Sequence, residues 1–445
     1  MISLRFLVWC CIVSIPVAQI GAQGRPPLAA GPMVGAAEMR EVRLWAQTTR
    51  PAKVDVVYWD STSPGKRFHT NSVQTQRYTG HVALMVADSV QPGTTYLYDL
   101  RIDGVAVPRP YPTRFRTPTL WQFRTDPPAL RIAVGSCLYI NEPPYDRPGV
   151  PYGSDYGILT SIATARPDVM LWLGDNTYLR EPDWYTRTGV LHRYSHTRAV
   201  PEMQPLLAAA SNYATWDDHD FGPNDSDGSF RDRVLTREIF ELFWPSARFG
   251  ADGGGGVASS FEWQDVQVFL TDNRWYRNAQ GRRTGDARYL GRPQIEWLID
   301  ALRASRAPFK FVVVGGQVIN SSATFENYAT YAEERAFLLQ RIADERIPGV
   351  IFLSGDKHWT ELSAMPREGT YPLYDLTVSS LTAGTSNGWT TETNAHRVEG
   401  TILQAHNFGL LDVSGPRTDR VLTISIRDKD GREQWTRRIA ASELR

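Results

Sequence analysis

Four short stretches of this chain gather side chains that bind cations. Gly174-Asp175-Asn176-Thr177-Tyr178 sets a carboxylate and a phenol three residues apart. A carboxylate can bridge two cations, and a phenolate is a hard anionic ligand suited to a ferric ion. Trp216-Asp217-Asp218-His219-Asp220 brings three carboxylates and an imidazole into four consecutive positions, a cluster that repels itself unless a cation neutralises it. In Ser354-Gly355-Asp356-Lys357-His358 the carboxylate and imidazole are two positions apart, so both can point the same way from an extended segment. Cys137, after Gly135 and Ser136, adds a thiol. A thiolate favours iron or zinc, whereas Asp218 and Asp356 supply hard oxygen for calcium, magnesium or manganese. One softer and one harder site, side by side, is the expectation. Each stretch also has a plainer reading: a turn aspartate with a packing tyrosine, a solvated acidic loop, a structural histidine, a buried packing thiol.

Each stretch follows an apolar run that reads as a strand: 129–134 leads to Cys137, 169–173 to Asp175, 213–216 to Asp217 and 349–353 to Asp356. Two further runs, 266–270 and 309–314, lead to Thr271-Asp272 and Gly315-Gly316-Gln317. Side chains at strand C-termini are displayed along one edge of a rigid sheet, which is how α/β sites are built. Ahead of this texture, residues 31–119 alternate short mixed apolar and polar runs with turn-formers and read as a small all-β sandwich. Within it, Gln91-Pro92-Gly93-Thr94-Thr95-Tyr96 resembles the fibronectin type III signature, in which a tyrosine at the start of a late strand ties back to a nearby loop. The Pro-rich stretch 108–128 reads as a linker, and the tail from Phe408 as a closing β-hairpin.

The first residues carry Arg5, the apolar run 6–20, then Gly21 and Ala22, the order of a secretory signal peptide over 1–22. That run is shorter than the ~20 residues of a membrane-spanning helix, so the expected mature chain has no transmembrane segment and is exported to a periplasmic, cell-surface or secreted location. A lipid anchor at Cys10 or Cys11 is the competing reading, opposed by Trp9 where such a signal needs a small residue. Of the 3 cysteines, two lie in this leader, so Cys137 has no internal disulfide partner: it is an inert thiol, an intermolecular link or a functional thiolate. Lys+Arg and Asp+Glu both total 48, giving net charge 0, so nothing marks a nucleic-acid partner. With 445 residues, 42% of them hydrophobic, the chain has the length and composition for two globular domains.

The four stretches, in this order over 132–358, resemble the PhoD-like alkaline phosphatases, which share the calcineurin-like metallophosphoesterase core with purple acid phosphatases. The resemblance implies an α/β catalytic domain over 120–445, a two-sheet sandwich flanked by helices, preceded by the all-β domain. It implies hydrolysis of small-molecule phosphate monoesters at a dinuclear or trinuclear metal site, with a metal-bound hydroxide as nucleophile. Asp175 would bridge two metals, with Cys137, Tyr178 and His358 completing a site similar to a ferric one. Asp218 and Asp356 would hold a second, calcium-like site, and His219 would sit beside the leaving group. Asp217 and Gln317 would be extra ligands or support them. Asp272 and Arg274 resemble the family's substrate-side strand, where a guanidinium can grip phosphate; a structural salt bridge is the competing role for Arg274. Gln317 and Asp356 stand where relatives carry imidazoles, which favours a hard cation over zinc and leaves the metal identities open: iron and calcium, with zinc, manganese or magnesium as alternatives. The same metals could serve a phosphodiesterase or a phospholipase D-like enzyme, and a non-enzymatic calcium-dependent surface-binding protein is a third class, though one with no need of Cys137, Tyr178 and His358. No Gly-X-Ser-X-Gly elbow supports a serine hydrolase. The loops 139–156, 224–231 and 382–400, with Trp389 in the last, are expected to line the cleft.

Overall fold

The computed structural model describes residues 27–246 and 248–445; the expected leader 1–22 lies outside them. The runs read as strands are strands, because their residues are buried on both faces and alternate between two cores. Ile132, Val134 and Leu171 face a core shared with Phe311 and Phe352, while Ala133, Met170 and Trp172 face a second core built with helices. That alternation is the period of two that a strand imposes.

Three parallel strands, Leu130–Gly135, Val169–Leu173 and Ser211–Thr215, form the centre of a nine-stranded sheet. Opposite lies a six-stranded sheet in which Val266–Leu270, Phe309–Val313, Val350–Ser354 and Leu373–Thr377 run parallel, with Ser259–Trp263 and Glu361–Met365 antiparallel at the edges. Helices Gly157–Thr164, Arg187–Arg198 and Arg233–Phe243 bury Ile158, Val190 and Phe240 against the nine-stranded sheet. Helices Arg292–Ala304 and Ala332–Asp344 bury Leu298 and Leu338 in the core of the other. The result is a two-sheet sandwich flanked by helices. Among the described residues no helix is long and apolar enough to cross a membrane.

The N-terminal region is all-β, but one of its two sheets is not its own. Leu28–Ala37 pairs in parallel with Ser211–Thr215 through Val34 and Ser211, and carries Val42–Thr48 and Val82–Ala87 outward as the edge of the nine-stranded sheet. Its other strands, chiefly Lys53–Asp60 and Thr95–Ile102, form a separate small sheet. The tyrosine tie is present, with Gln91 N donating to Tyr96 Oη at 2.8 Å. Asn212 Nδ2 donates to Val34 O at 3.0 Å, Trp45 Nε1 donates to Leu242 O at 2.9 Å, and a Cβ on Gly35 would lie 2.3 Å from Pro245 Cγ. This seam is an interior. A pairing across more than 170 residues leaves no local pattern, which is why the sequence reads as a free-standing sandwich. The tail also differs from a simple hairpin: Asn407–Ser414, Val421–Asp428 and Glu433–Ala440 are three antiparallel strands, the first paired with Leu130–Gly135.

Trp45 is fully buried at this seam and packs on Phe243. Trp45→Ala is expected to lower the stability of the whole chain by roughly 3–5 kcal/mol, measured by urea denaturation with one transition for both regions. Two separated transitions would show that the regions fold independently.

Candidate metal centre

The parallel strands of both sheets end at the same edge, and the residues just past those ends turn inward. They do so in a backbone conformation that L-residues seldom adopt: φ is 59° at Cys137, 51° at Asp175, 70° at Asp356 and 61° at His358. Gly174, at φ 103°, precedes Asp175, and a Cβ there would meet Asp217 Cβ at 2.9 Å, so only glycine fits. Left-handed non-glycine residues collect where the surrounding structure holds side chains in place against a local cost.

Six of the expected residues meet here. Ligand atoms of Cys137, Asp175 and His358 lie within 4.8 Å of one another, as do those of Asp175, Asp218 and His219, so Asp175 belongs to both groups. Tyr178 Oη donates to Asp175 Oδ2 at 3.1 Å and lies 3.4 Å from His358 Nε2. His358 Nδ1 faces Gly384 O at 2.5 Å, an orientation that leaves Nε2 as the ligand nitrogen. Ser379 Oγ donates to Cys137 Sγ at 3.1 Å. Among the described residues Asp356 makes no hydrogen bond with its carboxylate, yet it stands close enough to Asp217, Glu326 and Asp218 to feel their charge.

The electrostatics explain what this cluster needs. Burial, then repulsion from Asp218 and Cys137, holds the Asp175 carboxyl well above the usual carboxylate range. Burial pushes the Cys137 thiol up to about 11. It pushes Asp356 up to about 8 against the pull of Lys357, and raises Tyr178 with help from Asp175. Asp218 is the exception: burial raises it, but His219, Arg274 and the Asp225 amide outweigh that, and the net shift is downward. His219 and His358 are lowered by burial and are held neutral. Asp175 Oδ1, Asp217 Oδ2 and Asp218 Oδ1 are buried without a hydrogen-bond partner. Buried acceptors of this kind are costly, and a donor set of thiol, phenol, neutral imidazole and carboxylates is one that cations satisfy. The residues therefore fit metal ions.

Three expected residues are engaged by partners other than a cation or substrate. Gln317 spends its amide on Glu361 Oε1 and Thr377 Oγ1, both at 2.8 Å, and accepts from Asn320 at 2.7 Å, so it offers nothing to the centre. Asp272 accepts the backbone amides of Val257, Arg274 and Trp275 at 2.8–2.9 Å and staples its own loop. Arg274 is 0% exposed; it donates to Asp217 Oδ1 at 2.6 Å and forms a two-pronged pair with Glu326 at 2.8 and 2.7 Å. Its guanidinium balances carboxylates instead of gripping phosphate. Asp217, held also by Asn273 Nδ2 at 2.8 Å, supports the centre from behind. Sequence reasoning missed Asp225 and Glu326, whose oxygens lie within 4.8 Å of an Asp218 oxygen, and Tyr152, whose Oη lies 3.1 Å from His358 Nδ1. Asp225 and Tyr152 fall in loops expected to line the cleft; Glu326 sits in a polar loop with no signal of its own.

Comparison with known proteins gives a family and a fold. A family model described as PhoD-like phosphatase matches residues 145–414, and Cys137 lies just ahead of that span. A domain of unknown function, DUF7800, matches residues 25–120. No curated protein sequence matches the chain. Among solved structures, one titled as the structure of PhoD superposes with a TM-score of 0.75 at 15% identity, covering 94% of this chain and 92% of the other. Purple acid phosphatase PPD1 from yellow lupin (Lupinus luteus) seeds superposes at 0.65 and 11% identity, covering 93% and 75%. These two likenesses are of fold.

A protonated cluster must release protons to take a cation. Binding of a divalent cation to the metal-free protein at neutral pH is expected to release protons, read as a dependence of calorimetric enthalpy on the buffer's ionisation enthalpy. In the metal-free protein, Asp356 holds its proton from its ordinary value of 3.8 up to about 8. Its contribution to stability is then full below 3.8 and lost as pH rises through about 8. Denaturation midpoints of chelated protein should fall across that window, and the metal-loaded protein should not follow.

Proposed function

The chain belongs to the PhoD-like phosphatase family and is a metal-dependent phosphoric ester hydrolase; from that premise we propose that it hydrolyses small-molecule phosphate monoesters at the Asp175-centred cluster. The observation that carries this reading is that Asp175 is shared between a thiol–imidazole group and a carboxylate–imidazole group, with atoms of each group within 4.8 Å. Cys137, Asp175, Tyr178 and His358 would hold the softer cation, for which iron is the best match to thiolate and phenolate. Asp175, Asp218 and Asp356 would hold a harder cation, for which calcium is the best match, with zinc, manganese or magnesium as alternatives. Cations bound there supply charge that neutralises the developing transition state and lowers the pKa of water.

The chain's own residues do the rest. Asp175 draws the two groups together; Tyr178 donates to it and Ser379 donates to Cys137, which holds both in register. His358 offers Nε2 because Nδ1 is committed to Gly384 O. Arg274 fixes Asp217 and stands 3.5 Å from Asp218 Oδ1, so it holds the carboxylate wall against its own repulsion. His219, its ring tilted against Tyr178 with centroids 4.1 Å apart, is partly exposed beside the cluster. Its imidazole N–H would donate to the leaving oxygen as negative charge builds there. The apolar stretch ahead of Gly21-Ala22 supports export of the mature chain.

Because a His219 nitrogen also lies within 4.8 Å of Asp175 and Asp218 oxygens, the acid role and a ligand role need separating. His219→Ala is expected to keep its metal and to lose roughly 10²–10⁴-fold on an alkyl phosphate, with a much smaller loss on nitrophenyl phosphate. Equal losses on both esters would remove the acid role, and loss of metal would make His219 a ligand.

A further inference from the structure

Next to the metal centre the segment after Thr271 and the loop around Gly228 enclose a cleft of about 580 Å³. Its lining includes four arginines, Arg233, Arg277, Arg282 and Arg288, and one acidic residue, Asp227, whose carboxylate accepts the Ser229 amide at 2.8 Å. Arg233 is fixed: it lies 4.5 Å over the Trp275 ring and donates to Trp275 O at 3.2 Å. Arg277 is 3% exposed. Its Nε donates to Tyr331 Oη at 3.1 Å and its Nη2 pairs with Glu326 Oε1 at 2.5 Å, while Nη1 is buried without a partner. A buried guanidinium N–H without an acceptor is costly. Arg282 and Arg288 are exposed and pair with no carboxylate among the described residues. Guanidinium forks match phosphate oxygens in pairs, and the two exposed ones, Arg282 and Arg288, with a single acid of the cleft already engaged, form a receptor for an anion.

The cleft adjoins the chemistry. Glu326, held by Arg277, has an oxygen within 4.8 Å of Asp218 and Asp225 oxygens, so the buried Arg277–Glu326 pair links the lining of the cleft to the metal cluster. Resting on the phosphatase reading above, we infer that this cleft is a second anion subsite, which takes the non-reacting phosphate of a bisphosphorylated small molecule while its other phosphate is hydrolysed at the metal centre. The favoured substrates are then esters with two phosphates on one compact body, and Arg282 and Arg288 determine that preference.

The test compares fructose 1,6-bisphosphate, fructose 6-phosphate and nitrophenyl phosphate on the metal-loaded protein, on Arg282→Ala/Arg288→Ala and on Arg282→Lys/Arg288→Lys. The alanine pair should raise KM for the bisphosphate roughly ten-fold or more, leave both monophosphates unchanged, and be partly rescued by lysine. The bisphosphate KM should also rise with ionic strength. A KM shift equal on all three esters, or none on the bisphosphate, would overturn the subsite. Calorimetric binding of fructose 1,6-bisphosphate to the same proteins judges the subsite without turnover: weaker binding to the alanine pair supports it, and unchanged binding overturns it. Absence of metal-dependent turnover of nitrophenyl phosphate by the unsubstituted protein would overturn the reading of the metal centre instead.

Discussion

The structure depends on the repulsion among acidic groups that the fold buries together. Asp175, Asp217, Asp218, Tyr178 and Cys137 are all buried at one sheet edge, with Asp356 beside them. Two kinds of positive charge can make that arrangement tenable. Arg274, itself fully buried, answers Asp217 and Glu326 with direct hydrogen bonds. No basic side chain bonds to Asp175 or Asp356 among the described residues, and burial, with repulsion from neighbouring acids, pushes their carboxyls upward. Cations complete what Arg274 begins. A group that would be a neutral acid in the bare protein becomes a ligand when the metal makes its anion favourable.

The surrounding architecture exists to hold these groups against that repulsion. Two sheets meet through one core, so strands far apart in sequence deliver Cys137, Asp175, Asp218 and Asp356 to one place. For Cys137, Asp175 and Asp356 the last turn is made in the left-handed region, at a cost on the order of 1–3 kcal/mol per non-glycine residue. Gly174 lets the chain pass close to Asp217 on the way. The N-terminal strands add to the same sheet, and Trp45 anchors them to the helix Arg233–Phe243 that follows the acidic stretch. Region and centre are thus parts of one mechanical unit.

Much of this is legible in the sequence because it is local. The apolar runs at 129–134, 169–173 and 349–353, each followed by chemistry-bearing residues, announce strands and ligands together. The donor types at Cys137, Asp175, Tyr178, Asp218 and His358 need only spacing to be noticed. What escapes is whatever depends on long-range pairing. Arg274 looks like a phosphate grip until the structure sets Asp217 and Glu326 around it, some fifty positions away in each direction. Gln317 looks like a ligand until Glu361 and Thr377 take its amide. The seam between Leu28–Ala37 and Ser211–Thr215 leaves no trace in either segment's own pattern.

The central claim is that buried mutual repulsion makes this cluster a metal centre with Cys137 as one of its ligands. The most direct measurement is elemental analysis of purified protein and of Cys137→Ala, paired with nitrophenyl phosphate turnover. The account predicts iron bound together with a harder cation such as calcium in the unsubstituted protein, and loss of iron and of activity together in the variant. Unchanged metal content and full activity in Cys137→Ala would contradict it and leave Cys137 a packing thiol.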